Sequence, residues 1–122
     1  MRTLAGASIV AVVSVVSGCD SPDPSRTTFW VEKAKSQDAQ WRITAVGVLG
    51  ARAKDEQSAQ EALVRLIEDP DPRVRGSTIL NLYWVADVPE IRRRIEARLS
   101  DENGAVREVA SAVLQKRVSD TR

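Results

Sequence analysis

Three segments of the chain align with one another at spacings of 33 and 32 residues. They run over residues 36–49, 69–82 and 101–114. The residues shared at equivalent positions include the arginines Arg42, Arg75 and Arg107 and the leucines Leu49, Leu82 and Leu114. A repeat of this length is typical of stacked supersecondary units, because one unit cannot bury its apolar face without a neighbour.

Apolar residues around these segments recur with a helical period. One stripe precedes the second segment and consists of Ala59, Ala62, Leu63, Leu66 and Ile67; another precedes the third and consists of Val88, Ile91, Ile95 and Leu99. Asp55 or Ser58 would cap the first of these helices and Asp87 the second. Since the β-branched residues fall inside helical periods, we predict an all-α fold. It is a short α-solenoid of three antiparallel helix pairs over residues 28–118, with a first helix near 29–35, a last helix near 105–117 and a tail at 119–122.

The acidic turn of the middle unit carries a family resemblance. Asp69-Pro70-Asp71-Pro72 followed by Val74-Arg75, with weaker copies before Trp41-Arg42 and Val106-Arg107, resembles HEAT repeats over roughly residues 28–117, closest to the short type of phycobilisome lyases. In that repeat type a turn Asp and an Arg of the next helix commonly pair as a ladder. The resemblance therefore implies a structural ladder of Asp38, Arg42, Asp71, Arg75 and Arg107. We expect Arg75 to pair with Asp71 or Asp38, and the alternative use of the arginines is an anion site.

The N-terminal segment has the organisation of an export signal. Met1-Arg2 is positive, and residues 4–16 are small and apolar. That run is shorter than the roughly 20 residues that a helix needs to span a bilayer, and it suits a signal peptide. Val16-Ser17-Gly18-Cys19 then resembles the lipobox of bacterial lipoproteins. The resemblance implies cleavage between Gly18 and Cys19 and acylation of Cys19; an ordinary signal peptide with a chance Cys and a short buried helix are the alternatives.

A polar segment follows Cys19. Residues 20–26 contain two prolines and no aliphatic or aromatic side chain, so we expect residues 19–27 to form a lipidated, flexible tether. Two or three acyl chains would hold the domain at a membrane without a spanning helix. Asp20 resembles the retention signal of enterobacterial lipoproteins, which favours the inner over the outer membrane. The expected location is therefore a bacterial membrane, with the domain facing the periplasm.

The composition excludes several chemistries. The chain has no His and one Cys, which excludes zinc sites that need His, internal disulfides and catalysis by a His base. Eighteen basic and 17 acidic residues leave a net charge of +1, so nothing electrostatic points to nucleic acid. We expect no enzyme activity, no metal and no cofactor. The predicted function is a protein-interaction module or scaffold in the cell envelope; the alternative is a small-ligand binder or an accessory factor related to HEAT-repeat lyases.

Three side chains are predicted to bind a partner. Tyr83 and Trp84 are adjacent, so a helix cannot bury both equally, and exposed aromatic residues often anchor binding sites. A contact at a repeat edge would explain them equally well. Val109 is placed on an outer side of the last helix that lacks the polar face of a terminal repeat, which would also suit self-association. Trp41 is predicted to be core, and Asn81 to be a hydrogen-bonded core residue or a polar group of the groove.

Overall fold

The computed structural model describes residues 21–120 and 122, and all regular secondary structure among them is helical. The six α-helices are α1 (Thr27–Lys33), α2 (Ala39–Arg52), α3 (Gln57–Leu66), α4 (Pro72–Asn81), α5 (Pro89–Ala97) and α6 (Gly104–Asp120). Short 3₁₀ turns follow α4 and α5 at Tyr83–Val85 and Arg98–Ser100. The predicted all-α solenoid is confirmed. The predicted signal peptide, with Gly18 and the acylation site Cys19, lies outside the described residues.

The second helix of each pair begins at a repeated turn. In the middle unit, the Asp69 carboxylate accepts a hydrogen bond from the Asp71 backbone N–H at 2.9 Å, and Asp71 then accepts one from the Arg73 N–H at 2.9 Å. Asp71 is thereby the N-cap of α4, with Pro72 in the first turn, where its missing N–H costs nothing. Asp38 caps α2 in the same way. The turn chemistry is therefore local and recurs with the repeat.

The first helices of the second and third pairs begin differently from the prediction. The N-cap residues of α3 and α5 are Glu56 and Val88, and neither supplies a side-chain cap. Asp87 instead pairs with Arg117 of α6 at 3.3 Å. These two helices owe their position to the stripes that they bury rather than to their caps.

The core lies between the two helix layers. Helices α2, α4 and α6 stack in one layer, and α1, α3 and α5 cover it. The predicted stripe of α3 is buried along its whole length: Ala59, Ala62, Leu63, Leu66 and Ile67. Of the stripe predicted before the third turn, Ile91 and Ile95 are buried, whereas Val88 and Leu99 are 37% and 43% exposed. These two residues lie just outside α5, where the chain turns away from the core.

Trp41 is 42% exposed, so its assignment to the core is wrong. The equivalent residues of the later units, Val74 and Val106, are buried because each faces the unit before it. Among the described residues no unit precedes Trp41. Its ring instead contacts the Lys33 ammonium, 4.2 Å from the ring centroid.

Both ends of the domain are more ordered than the sequence predicted. The Arg26 N–H donates to the Asp23 carbonyl at 3.0 Å, and the Trp30 indole N–H donates to the Pro24 carbonyl at 2.8 Å. An extended spacer up to residue 27 is therefore wrong from Asp23 onward. At the other end α6 includes residues 119 and 120 of the predicted tail, since nothing after Arg117 breaks the helix. No helix within residues 21–120 combines the length and the hydropathy that crossing a bilayer requires.

Candidate functional site

An arginine of each of the first two units crosses to the turn of the next unit. Arg75 donates from Nε and Nη2 to the two carboxylate oxygens of Asp101 at 2.9 and 2.8 Å. Its Nη1 donates to the carbonyls of Asp69 and Pro70, in its own turn, at 2.8 and 3.2 Å. Arg42 repeats this arrangement with the Asp69 carboxylate, at 2.8 and 3.0 Å. Each arginine thus ties two successive units together through a bidentate pair.

The ladder exists, but its acids are not the predicted ones. Asp71 and Asp38 are occupied as helix caps, and the rungs are made by Asp69 and Asp101, each two residues before the cap position. The expectation that Arg75 pairs with Asp71 or Asp38 is therefore wrong. The signal was present in the alignment, because Asp69 and Asp101 occupy equivalent positions. The first unit carries a serine, Ser36, at this position.

The Arg75–Asp101 pair is buried. The side chains are 6% and 1% exposed. The hydrogen bonds from Arg75 lower the pKa of the Asp101 carboxyl, against the opposing effect of burial, and the same bonds raise the pKa of Arg75. The donors of the guanidinium that face Asp101 are already bound there, so Arg75 is a structural residue and not an anion site.

Arg107 is the end of the ladder within residues 21–120. Its Nη1 donates to the carbonyls of Asp101 and Glu102 at 2.7 and 3.2 Å, as the other two arginines do in their own turns. No carboxylate of the part of the chain that the structure describes forms an ion pair with it. Arg107 is also exposed, which makes it a natural control for the two buried rungs.

The basic run of α5 is a solvated face. Arg92 pairs with Glu96 at 2.9 Å, Arg93 with Glu90 at 3.1 Å and Arg94 with Glu90 at 2.9 Å. These are pairs between neighbouring turns of one exposed helix, which contribute little to stability. Arg94 also lies 3.5 Å from Glu68, so three carboxylates balance the three arginines and the run is not an unpaired phosphate site.

Trp84 is the most exposed large apolar residue described. Trp84 is 64% exposed and Leu80, one helical turn earlier, is 61% exposed. Tyr83 is half-buried: its ring packs edge-on against Trp84, with 4.9 Å between centroids, and its hydroxyl donates to Asp120. The two adjacent aromatic residues therefore divide as their positions predicted, one outward and one inward.

A cleft lies on each side of Trp84. One has a volume of about 300 Å³ and runs toward the end of α2. Its lining residues are Gly50, Ala51, Ala53, Lys54, Asp55, Asn81, Trp84 and Val85. The other, of about 370 Å³, lies between α4 and α6 and is lined by Leu80, Tyr83, Trp84, Ala112, Val113, Lys116 and Asp120. We call Leu80, Trp84 and these two clefts the Trp84 face.

The Trp84 face continues across all three helices of its layer. Equivalent positions on α2, on α4 with the 3₁₀ turn that follows it, and on α6 fall in three sets. The sets are Thr44, Ser77 and Val109; Gly47, Leu80 and Ala112; and Ala51, Trp84 and Lys116. Lys116 is the one charged residue among them. Asn81 borders this face, donating from its side-chain amide to the Ser77 carbonyl at 2.8 Å. These nine positions thus form a strip with a single charged residue, while Lys54, Asp55 and Asp120 line the clefts beside it.

Val109 lies in that strip but is half-buried and packs against the core. The end of the stack is formed by other positions of α6. The positions of Gly50 and Gly76 face the next helix of the layer, since a Cβ at Gly50 would meet Asn81 and one at Gly76 would lie 4.0 Å from Val106. Their equivalents on α6 are the exposed, polar Gln115 and Glu108. The expectation of an apolar end surface on α6 is therefore wrong.

The largest cleft described has a volume of about 840 Å³ and lies between residues 21–26 and α1. Its charged side chains have separate partners: Asp23 pairs with Arg26 at 3.7 Å, Glu32 with Lys35 outside the cleft at 3.3 Å, and Lys33 lies over the rings of Phe29 and Trp41. They do not converge on a common point, as the polar groups of a ligand site do. Residues 21–120 and 122 also contain no cluster of Cys, Asp or Glu suited to a metal ion.

Comparison with known families agrees with this architecture. The family model for HEAT repeats matches residues 27–116, which contain all three helix pairs apart from the last residues of α6. A comparison with curated proteins finds no match.

Proposed function

The chain belongs to the HEAT-repeat family, and we propose that it is a lipid-anchored protein of the bacterial envelope whose repeats bind a partner protein. HEAT repeats commonly serve as scaffolds for protein interaction, because stacked helix pairs present a broad continuous surface. In this proposal Cys19 carries the acyl chains and the domain faces the periplasm, at the inner rather than the outer membrane. The domain binds and does not catalyse.

The observation that carries the binding proposal is the exposure of Trp84 between two clefts. The Trp84 side chain is 64% exposed, so a large apolar area is in contact with water. Aromatic residues of this kind are frequent anchors of protein interfaces. The surrounding strip is largely uncharged, which suits the apolar side of an amphipathic helix. Clefts of about 300 and 370 Å³ on the two sides of the ring have room for apolar side chains of such a helix.

The membrane anchor is tested by a single substitution. Cys19→Ser removes the thiol that accepts the lipid, so metabolic labelling with a palmitate analogue should disappear and the protein should leave the membrane fraction or accumulate as precursor. Acyl label that persists on the serine variant would refute the proposed anchor.

The binding face is tested by photo-crosslinking in intact membranes. A benzoylphenylalanine in place of Trp84 should give discrete protein adducts. The same amino acid in place of Arg93, whose side chain is 71% exposed on the other layer, is the matched control. The two positions differ in the face that they occupy and not in their access to solvent. Equal adduct patterns from both, or none from position 84, would contradict the assignment of the face.

A small-ligand or lyase-like role, the alternative predicted by analogy, has no observation in its favour. Fold-level analogy does not establish a site.

A further inference from the structure

We propose that the α1 end of the domain, formed by Phe29, Trp30, Lys33 and Trp41, lies against the headgroup layer of the membrane that holds Cys19. The inference rests on the proposed acylation of Cys19. It adds a second membrane contact, made by the folded domain itself, and it assigns Trp41 to that contact.

The first argument is the length of chain between the anchor and the fold. The structure is ordered from Asp23, through the Arg26–Asp23 and Trp30–Pro24 hydrogen bonds. Three residues lie between Cys19 and Asp23, and the four residue steps from one to the other reach at most about 14 Å when fully extended. That reach is shorter than α2, whose 14 residues span about 21 Å. The folded domain therefore stays within about 14 Å of the lipid surface at Asp23, and the side on which it is tethered is the segment packed on α1.

The second argument is the composition of that end. It carries two of the three tryptophans and the one phenylalanine of the chain. Trp30 packs partly against the core and borders the contact, whereas Trp41 is exposed. The Lys33 ammonium lies 4.2 Å from the centroid of the Trp41 ring and 5.5 Å from that of Phe29. Tryptophan and lysine are the residues that favour the boundary between headgroups and acyl chains, since each combines an apolar body with a polar tip.

The third argument is the exposure of Trp41. Its equivalents Val74 and Val106 are buried against the preceding unit, whereas Trp41 remains 42% exposed. A tryptophan at the position that would contact a preceding unit is well placed to contact whatever surface lies there. The anchor lies within about 14 Å of Asp23, and Asp23 lines one cleft with Lys33, whose ammonium contacts the Trp41 ring, so we assign that surface to the membrane.

The charges at this end permit the approach. Arg26 pairs with Asp23 and Lys35 with Glu32, which leaves Lys33 as the remaining cation of residues 21–36. The end therefore has no excess of acid to be repelled by anionic lipids. The contact is mainly aromatic and depends little on salt.

This orientation leaves the Trp84 face available. Gly50, which lines one of its clefts, lies nine residues along α2 from Trp41, a distance of about 14 Å along the helix axis. The lipid contact and the partner contact thus occupy opposite ends of one rigid helix.

The test uses fluorescence quenching in the full acylated protein. The protein is reconstituted in phosphatidylethanolamine–phosphatidylglycerol vesicles with and without lipid brominated near the headgroup. Trp41→Phe and Trp84→Phe are a matched pair, because both residues are exposed and neither substitution should affect folding. We expect bromolipid quenching of tryptophan fluorescence to fall about twofold or more in Trp41→Phe and to be retained in Trp84→Phe, since only the first removes an indole fluorophore at the interface.

The outcomes separate this inference from the proposed function. Absence of acyl label on the wild-type protein refutes the anchor, and the orientation falls with it. Acylated, vesicle-bound protein whose quenching is equal in the two variants overturns the orientation while the anchor stands. A benzoylphenylalanine at position 41 that crosslinks to a protein in native membranes, and not to lipid, overturns it as well.

Discussion

Replacing Arg75 with alanine should be among the most destabilising single changes in this domain. The substitution removes both hydrogen bonds to the Asp101 carboxylate and leaves that group with 1% of its side chain accessible to water. Asp101 retains a hydrogen bond from the Asn103 N–H and a contact with Arg98 at 3.3 Å. These remaining partners limit the loss but do not replace a bidentate guanidinium.

The magnitude follows from the burial of both partners. Removing one member of a buried ion pair costs about 3–5 kcal/mol when the other charge is left without compensation. Because Arg98 and the Asn103 N–H still contact Asp101, the loss should lie near the lower end of that range. A small domain has a free energy of unfolding of about 5–15 kcal/mol, so Arg75→Ala should remove a large part of it. The interface between the second and third units should loosen first, since the pair joins those two.

Arg107→Ala is the matched control. Arg107 donates to the carbonyls of its own turn as Arg75 does, but forms no ion pair with a carboxylate within residues 21–120 and 122. Its loss should cost about 1 kcal/mol, the value of ordinary hydrogen bonds at an exposed site. Urea denaturation of the chain from Ser21, followed by circular dichroism, measures both variants. A difference of less than about 1 kcal/mol between them would refute the view that the buried pair ties the units together.

Three further outcomes follow from packing and charge. Gly50→Ala should lower the free energy of unfolding by about 1–3 kcal/mol, because the new Cβ would lie 2.7 Å from the Cβ of Asn81. A Cβ at Gly47, on the same helix, would meet no neighbour, so Gly47→Ala should raise the free energy of unfolding by up to about 1 kcal/mol in the same urea experiment. Leu82→Ala should cost about 2–5 kcal/mol, since the leucine is fully buried, and a thermal melt that does not shift would contradict its place in the core. The folded protein lowers the pKa of Asp101 below its ordinary 3.8, so the stability that this carboxylate contributes is complete above pH 3.8 and is lost as the pH falls through the lowered value. The difference in free energy of unfolding between wild type and Arg75→Ala should therefore become smaller in acid. A difference that does not change with pH would contradict the ion pair.

The repeat and its helices could be predicted from the chain alone. The spacing of 33 and 32 residues and the apolar stripe of α3 are patterns of the sequence itself. The caps at Asp38 and Asp71 are equally local, but both residues were predicted as ladder acids instead. Local patterns of this kind are sufficient for secondary structure and for the burial of a helix face. They also predicted that Tyr83 and Trp84 divide between core and surface, because neighbours on a helix point in different directions.

The partners of the arginines were decided by tertiary structure. The turn before Arg75 contains two aspartates, Asp69 and Asp71, but Arg75 pairs with Asp101, 26 residues later. The cap geometry commits Asp71 to the start of α4, where Arg73 further lowers the pKa of that carboxyl to about 2. The carboxylate that the Arg75 guanidinium can reach is then that of Asp101, which belongs to the next unit. This contact can be found only once the two units are packed against each other.

The stacking direction also decided which residues are buried at equivalent positions. Trp41 and Val106 align in sequence, yet one is 42% exposed and the other 1%, because the position faces the preceding unit and only Val106 has one among the described residues. In the same way Glu108 of α6 aligns with Gly76 of α4, whose position faces the next helix. A sequence alignment shows that positions are equivalent; their burial depends on what the neighbouring unit places against them, because a solenoid buries each surface only against the next.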